Sequence, residues 1–505
     1  MASGRVLSFI LLLLLSIGAA AAPAAAFPAA AVGAIPYRTL KGMVTAADNH
    51  RYLSVPFDLP GGVVRLTVQF SYGGKDRHTA VDMGLFDPQR FRGWSGGARD
   101  HLTLSAEEAT PGYLAGPLPA GRWRLLLGVP NIRPGTRAPF TAQVFIKRKP
   151  GVTSFSDGPL NNDPGWYRGD LHMHSGNSDG KCAAQSGKRV ACPVYRTLEA
   201  AAARGLDFIA ITDHNTTAQA EELRALQPAF DRLLLVPGRE ITTFFGHANV
   251  FGLIDFLDFR MSEPTYAEAA KWMTTAKREG GLVSINHAGV PSGEQCMGCG
   301  WNVSGLPPHA VSAVEVVNGG TLAVTGRADN PAQGFALWER LLDRGDHVTG
   351  IGGSDNHDAD ISPDKPAAIG TPTTVVYMRE LSVDGLLDGL RSGRVFIDVD
   401  GTRDRLLELS AQAGEQHAVM GQTLQLRRDD AARFIVTVKG VASGTAQLVV
   451  DGRSIPADRI TFDAGHPTAP IIWRSDGKAH WIRADVRDDH GRLLLIGNPI
   501  YVVAG

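Results

Sequence analysis

From Tyr167 to Arg391 the chain alternates short apolar runs with helix-like stretches, and this rhythm restricts its fold more than any other feature. The apolar runs are Phe208 to Ile211, Leu233 to Val236, Leu282 to Ile285, Val314 to Val317, Val348 to Ile351 and Thr374 to Tyr377. The helix-like stretches are Thr197 to Arg204, Tyr266 to Glu279, Phe335 to Arg344 and Val383 to Arg391. Strand, loop and helix repeated this often imply parallel pairing under helical cover, and seven or so units predict a closed or nearly closed barrel. An open doubly wound sheet is the alternative.

Residues of metal-binding type gather at the ends of the apolar runs. His172 and His174 stand one residue apart in YRGDLHMHSGNSDG, Tyr167 to Gly180. Residues two apart in an extended strand share a face, so both imidazoles reach one point. Asp179 follows in a loop rich in Gly, Ser and Asn. Further on come Thr212-Asp213-His214, Gly238-Arg239-Glu240, His247, Asn286-His287 and Ser354-Asp355-Asn356-His357. Most lie just past the C-terminal end of a strand, where the loops of a barrel converge on one face.

Any one of these histidines alone reads equally well as a hydrogen-bonded core or loop residue. The set is different: His172, His174, Asp179, His214, Glu240, His247, His287, Asp355 and His357 make nine ligand-type side chains. That exceeds what one ion uses, so two or three divalent ions are implied, and imidazole with carboxylate suits zinc, manganese or iron.

Over about residues 165 to 400 these ordered motifs resemble those of the polymerase and histidinol phosphatase (PHP) superfamily. Within it, GDLHMHS and SDNH look like the carbaryl-hydrolase-like CehA/McbA family. The resemblance implies a distorted (β/α)7 barrel with a di- or trinuclear metal centre. It also implies a division of ligands: His172, His174 and Asp355 on one ion, Glu240 bridging to a second bound by His247 and His287, and Asp179, His214 and His357 on a third. Asp179 stands where some relatives use His.

Two ions roughly 3.5 to 4 Å apart can share a water and present hydroxide to a phosphoester. A neighbouring ion would stabilise charge on the attacked group's oxygen. The same centre suits a carbamate, ester or amide. Asp213 is a candidate to orient a ligand or relay a proton, and otherwise caps the next helix. Arg239 is a candidate phosphate clamp, and otherwise a salt bridge at the barrel rim. Phe244, Phe245 and Trp301 are either apolar walls or packing residues. Gly352-Gly353 and Gly319-Gly320 lack the following Lys and Ser or Thr of a nucleotide P-loop and read as backbone turns.

The flanks have a different rhythm. Residues 1–26 carry a short basic start, an apolar run over Val6 to Gly18 and an Ala-rich segment with Ala-x-Ala sites, the layout of a secretory leader. No later stretch is long and apolar enough to span a bilayer, so the expected mature protein is exported, periplasmic or secreted, without a membrane anchor. Residues 34–150 and 401–505 show short alternating runs punctuated by Gly and Pro, which predicts an antiparallel β-sandwich on each side of the barrel. A linker rich in Gly, Ser, Asn, Asp and Pro runs from about Lys147 to Pro164. His78 and His101 lack ligand-like spacing and read as surface or loop residues.

Cys182, Cys192, Cys296 and Cys299 read as disulfides in an oxidising compartment rather than as a four-thiolate zinc site. Pairing within each loop and cross-pairing of the two loops both remain open. The 50 Lys and Arg balance 51 Asp and Glu, which excludes a global field for nucleic acid or anionic lipid. No basic aromatic track of the single-strand-binding kind is present, so a small-molecule substrate is expected and nucleic acid is not. The non-catalytic alternative is an envelope or glycan-binding protein with the barrel as scaffold.

Overall fold

The computed structural model of this 505-residue chain describes residues 35–294, 296–463 and 470–505. The expected leader over residues 1–26 lies outside the described residues. No helix among the described residues is long and apolar enough to cross a membrane.

The first strands are β1 (Arg38–Thr45), β2 (Tyr52–Leu59), β3 (Arg65–Tyr72), β4 (Ala80–Phe86), β5 (Phe91–Gly96), β6 (His101–Ser105), β7 (Gly121–Asn131) and β8 (Arg137–Lys147). They form two four-stranded sheets in the orders β1-β8-β3-β6 and β2-β7-β4-β5. In β3 every second residue, Leu66, Val68 and Phe70, is buried. Such period-2 burial places one face of each sheet on a shared core, here with Trp123, Leu125 and Leu127 of β7.

The central region begins with β9 (Gly165–Asp170), the hairpin β10 (Lys181–Ala183) and β11 (Arg189–Ala191), α1 (Val194–Arg204), β12 (Phe208–Ala210) and α2 (Gln219–Leu226). It continues through β13 (Leu234–Val236), β14 (Gly238–Thr243), β15 (Gly246–Phe251), α3 (Tyr266–Arg278), β16 (Leu282–Ile285) and β17 (Ala313–Asn318). The last elements are α4 (Gly319–Thr325), α5 (Phe335–Asp343), β18 (Thr349–Gly353), β19 (Thr373–Met378), α6 (Val383–Ser392) and β20 (Val395–Asp398). Local chemistry sets several ends. Ser382 caps α6 by accepting from the Gly385 amide at 2.9 Å, and Gly393 ends it at φ 71°.

The central strands fall into two ladders. One runs β13-β12-β9-β19-β20 and the other β14-β15-β16-β17-β18. Pairing is parallel within β9-β12-β13 and β16-β17-β18, and antiparallel at β14-β15-β16 and β9-β19-β20. The mixture follows from the β14-β15 connection, whose two residues, Phe244 and Phe245, permit only a hairpin. Isolated parallel bridges, His214 to Glu240 and Met173 to Asn356, tie the ladders together just beyond strand ends. We propose that the two ladders are the halves of the expected distorted barrel.

The C-terminal strands are β21 (Leu406–Ala413), β22 (Gln416–Val419), β23 (Thr423–Leu426), β24 (Ala431–Lys439) and β25 (Ser443–Val450). They are followed by β26 (Arg453–Asp463), β27 (Ile471–Arg474), β28 (His480–Arg487), β29 (Leu493–Gly497) and β30 (Ile500–Ala504). One sheet, β22-β21-β24-β27, stands apart, but β29 pairs with β20, so the other C-terminal sheet continues the central one. The ladder thus crosses the boundary expected near residue 400. Pairing with β29 satisfies the β20 edge, which would otherwise present unpaired backbone groups. Their core is also shared, since Val375 and Phe396 pack with Phe434, Leu448 and Ile482.

Candidate metal centre

The nine residues singled out in the sequence converge where the two ladders meet. His172 and His174 follow β9 in extended chain, each 1 % exposed, while Met173 between them points into a separate apolar cluster. That alternation puts both rings on one side, with centroids 5.4 Å apart.

Glu240, fully buried on β14, is the hub. Its two oxygens lie within 4 Å of five imidazoles: His172 Nε2 at 3.4 Å, His247 Nδ1 at 3.4 Å and His287 Nε2 at 3.3 Å on Oε1, His214 Nδ1 at 2.8 Å and His174 Nε2 at 3.8 Å on Oε2. Asp355 Oδ1 faces His172 Nε2 at 3.3 Å, His174 Nε2 at 3.1 Å and His357 Nδ1 at 3.7 Å. Asp179 Oδ1 lies 3.4 Å from His357 Nε2 and 3.7 Å from His214 Nε2. Three of the atom clusters spaced for a cation are therefore His172 with His174 and Asp355, His172 with Glu240 and His287, and His174 with Asp179, His214 and His357. His172 and His174 each belong to two of them. The last group is the most open, with the Asp179 side chain 55 % exposed.

The chemistry of this set fits cations. Buried carboxylates normally carry Lys or Arg partners. Among the described residues no Lys or Arg forms an ion pair with Asp179, Glu240 or Asp355. His174 Nδ1 and His247 Nε2 are buried without a hydrogen-bond partner, and His172 Nε2 makes no well-formed hydrogen bond although Asp355 Oδ1 and Glu240 Oε1 stand 3.3 and 3.4 Å away. His287 and Asp355 also sit at positive φ, 27° and 53°. Non-glycine residues rarely adopt that region unless their surroundings impose it, and such positions cluster at functional sites.

Groups behind the ligands aim them. Glu315 Oε1 lies 2.9 Å from His172 Nδ1, and Oε2 accepts from the His287 amide at 2.9 Å and from Asn318 Nδ2 at 3.0 Å. Asn318 Nδ2 also reaches Asp355 Oδ2 at 3.2 Å, and Asn286 Nδ2 donates to Glu240 Oε1 at 2.8 Å. His287 Nδ1 faces the Cys299 carbonyl at 3.0 Å and His214 Nδ1 the Thr242 hydroxyl at 2.7 Å. Asp170, fully buried, accepts from the His172, Ser354 and Gly370 amides and so fixes the start of both ligand loops. Gly353 leaves the necessary room, because a Cβ there would stand 2.4 Å from Glu315 Oε1 and 2.5 Å from His172 Cβ.

The sequence reading missed Glu315, Asn318 and Asp170 as supports. Its available signal was a lone carboxylate inside the apolar run Val314 to Val317. A carboxylate bonded to the far nitrogen of a ligating imidazole fixes tautomer and orientation. Glu315→Gln keeps the shape and removes the charge, and it should weaken metal binding roughly 10- to 100-fold in a titration against a competing chelator. Unchanged affinity would deny Glu315 this role.

Electrostatics point the same way. Burial raises Glu240 and Asp355, but the surrounding histidines, His172 foremost, hold both well below the usual carboxylate range. Burial lowers His172, yet the charges of Asp355, Glu315 and Glu240 carry it well above an ordinary imidazole. His214 and His287 are raised in the same manner, whereas burial prevails at His174 and lowers it. At His357 burial is outweighed by the hydrogen bond to Asp179 and the charges of Asp355 and Asp179, which lift it to about 9.

A metal must displace such protons, so its affinity rises with pH. Because His357 holds its proton up to about pH 9, the affinity of the Asp179, His214 and His357 group should climb by up to about tenfold per pH unit between pH 7 and 9. Calorimetry in two buffers of different ionisation enthalpy measures the proton release. A flat profile over that interval would contradict the assignment.

The alternatives left open for Asp213 and Arg239 resolve differently. Asp213 is buried and accepts from the Ser175 amide at 2.7 Å, the Ser175 hydroxyl at 2.6 Å and the Ser178 hydroxyl at 2.6 Å. It clamps the loop that carries Asp179, and it does not cap α2, whose N-cap position is Ala218 and which has no side-chain cap. Arg239 precedes Glu240 on β14 and therefore points to the opposite face. Its guanidinium donates to the Leu253 and Asp255 carbonyls, so it is not a phosphate clamp.

The cysteines pair within their loops, Cys182 with Cys192 and Cys296 with Cys299. Cys296 of the second pair lines a cavity of about 780 Å³ that reaches His287 and Asp355. Phe244, Phe245 and Trp301 do not line it. Phe245 and Trp301 pack on the core beneath β14 to β18, and Phe244 is exposed.

No protein-family profile and no curated protein matches this chain. Among solved structures it is similar to a protein from Bifidobacterium adolescentis provisionally named a metal-dependent phosphoesterase. The two share 17 % identity over 44 % of this chain and 94 % of the other, with a TM-score of 0.27. A likeness of that size carries no argument about fold or function.

Proposed function

We propose that the protein is an exported hydrolase that works with two or three divalent metal ions on a small-molecule ester, a phosphoester first. The observation that carries this reading is one fully buried carboxylate, Glu240, within 4 Å of five imidazoles. Export is supported by the leader-like residues 1–26 and by two cysteine pairs that suit an oxidising compartment.

His172, His174 and Asp355 would hold one ion, Glu240, His247 and His287 a second, and Asp179, His214 and His357 a third. Such ions, zinc, manganese or iron, supply Lewis acidity and a nucleophile active at neutral pH. The chain's own residues prepare the site. Glu315 and the Cys299 carbonyl hold the Nδ1 protons of His172 and His287, which leaves each Nε2 lone pair directed at Glu240. Burial of His172, His174, Glu240, His247 and His287 excludes bulk water and strengthens every interaction within the set. Asp213 holds the Ser175 and Ser178 hydroxyls and thereby seats Asp179 at the open side.

A carbamate, ester or amide is the second reading. It is favoured by the absence of Lys and Arg from the described residues lining the cavity and by the turn of Arg239 away from it. The test is a panel of a phosphomonoester, a phosphodiester and an aryl carbamate with the metal-loaded protein, alongside His172→Ala and Asp355→Ala. Turnover that survives metal stripping or either substitution would overturn the metallohydrolase reading. Less than one ion per chain together with tight glycan binding would favour the envelope-binding alternative.

A further inference from the structure

We propose that the Cys296–Cys299 disulfide masks a metal ligand, and that its reduction turns the place between His247 and His287 into a zinc-selective site of two imidazoles and one thiolate. The proposal rests on the reading of the cluster as a metal centre and is independent of the bond that is cut. A further group of donor atoms carries it: Cys299 Sγ and one nitrogen each of His247 and His287 all lie within 4.8 Å of one another. Cys299, His247 and His287 are 3, 6 and 5 % exposed. His247 Nδ1 faces Glu240 Oε1, and Nε2 is left buried without a partner. Joined to Cys296, the Cys299 sulfur has no thiolate charge to offer a cation.

Contacts other than the disulfide hold Cys299 in place. Its carbonyl accepts from His287 Nδ1 at 3.0 Å, and the next two amides, of Gly300 and Trp301, donate to Ser292 Oγ at 3.0 Å and to the Ala288 carbonyl at 3.1 Å. On the other side Gly298 lies so close to β14 that a Cβ there would stand 2.1 Å from the Thr243 carbonyl oxygen. Breaking the S–S bond therefore frees the sulfur while these contacts keep the backbone that carries it. The two sulfurs differ in access, since Cys296 is exposed and Cys299 is buried. In the other pair both residues are shielded, Cys182 at 1 % and Cys192 at 2 % exposure.

The step requires a dithiol reductant. One of its thiolates attacks the exposed Cys296 Sγ, the S–S bond breaks, and the electron pair leaves on Cys299 Sγ beside the two imidazoles. The second thiol then displaces Cys296, so the dithiol ends as a disulfide and two electrons and two protons pass to the cysteine pair. Cys299 ligates as the thiolate, giving its proton to water. In the disulfide form this place offers nitrogen and oxygen, from His247, His287 and Glu240, a set that accepts manganese as well as zinc. A thiolate added there favours zinc. The redox state of one exposed loop thus sets which metal the centre retains.

The experiment uses cobalt(II), whose absorption reports a bound thiolate. Cys296→Ser frees Cys299 without added reductant and leaves the Cys182–Cys192 pair oxidised. We expect a thiolate-to-cobalt charge-transfer band in cobalt-loaded Cys296→Ser, and in wild type reduced with a dithiol and desalted without oxygen. The band should be absent from oxidised wild type and from Cys296→Ser/Cys299→Ser. Zinc should bind Cys296→Ser more tightly than oxidised wild type by about tenfold or more, at least the effect of an outer partner of a ligand, while manganese gains nothing. A band that persists in the double variant overturns the proposal. Cobalt d–d absorption without a charge-transfer band in both Cys296→Ser and reduced wild type also overturns it, and leaves the metal centre standing. No cobalt bound in either redox state overturns the metal-centre reading, and the proposal with it.

Discussion

Glu240→Gln is expected to leave the protein folded, to remove at least one bound ion and to lower kcat/KM about a thousandfold. The substitution keeps the side chain's size on β14, so packing around this fully buried position survives. What disappears is the negative charge that five imidazoles face between 2.8 and 3.8 Å. Its oxygens look into two ligand groups at once, so an amide there breaks the link between them. Lewis-acid stabilisation of a transition state is worth several kcal/mol, and about 4 kcal/mol corresponds to the thousandfold loss. Metal analysis and steady-state rates on one preparation, with near-ultraviolet circular dichroism as the check on folding, read the outcome. Retained metal and retained rate would remove Glu240 from the centre.

Stripping the metal with a chelator should lower the melting temperature by roughly 8 to 16 °C and abolish turnover. Ions that bind the folded chain a thousandfold above their Kd stabilise it by about 4 kcal/mol, and a domain of this size loses roughly 2 to 4 °C per kcal/mol. The physical cause lies in the site itself. Without ions, Glu240, Asp355 and Glu315 are compensated by protons on His172, His287 and His214, and buried nitrogens such as His247 Nε2 stay unsatisfied. Calorimetric scans before and after dialysis against chelator, followed by re-addition of zinc or manganese, separate loss of metal from loss of fold. A transition that does not move on chelation would show that the cluster holds no ion.

The convergence of the candidate ligand residues was legible in the sequence because a strand end is a local feature. An apolar run that stops at His or Asp marks the place where backbone pairing ends and side chains turn to one face, as at Asn286-His287 and Ser354-Asp355. Supports were harder to see. Glu315 sits inside an apolar run, and its partner His172 Nδ1, 2.9 Å away, lies 143 residues back in the chain. Arg239 was a candidate clamp on the chemistry of its guanidinium, although strand alternation already separates it from Glu240. Sheet boundaries were the least legible. The alternating runs after residue 400 look like a separate sandwich, yet β29 completes the edge of β20, and nothing local to Leu493–Gly497 names that partner.

The most direct test is the metal content of the purified, unstripped chain by inductively coupled plasma mass spectrometry. Two to three divalent ions per chain, falling when Glu240 is replaced by glutamine, is the predicted result. Less than one ion per chain in protein that is fully folded, after incubation with zinc, manganese and iron in turn, would contradict the account.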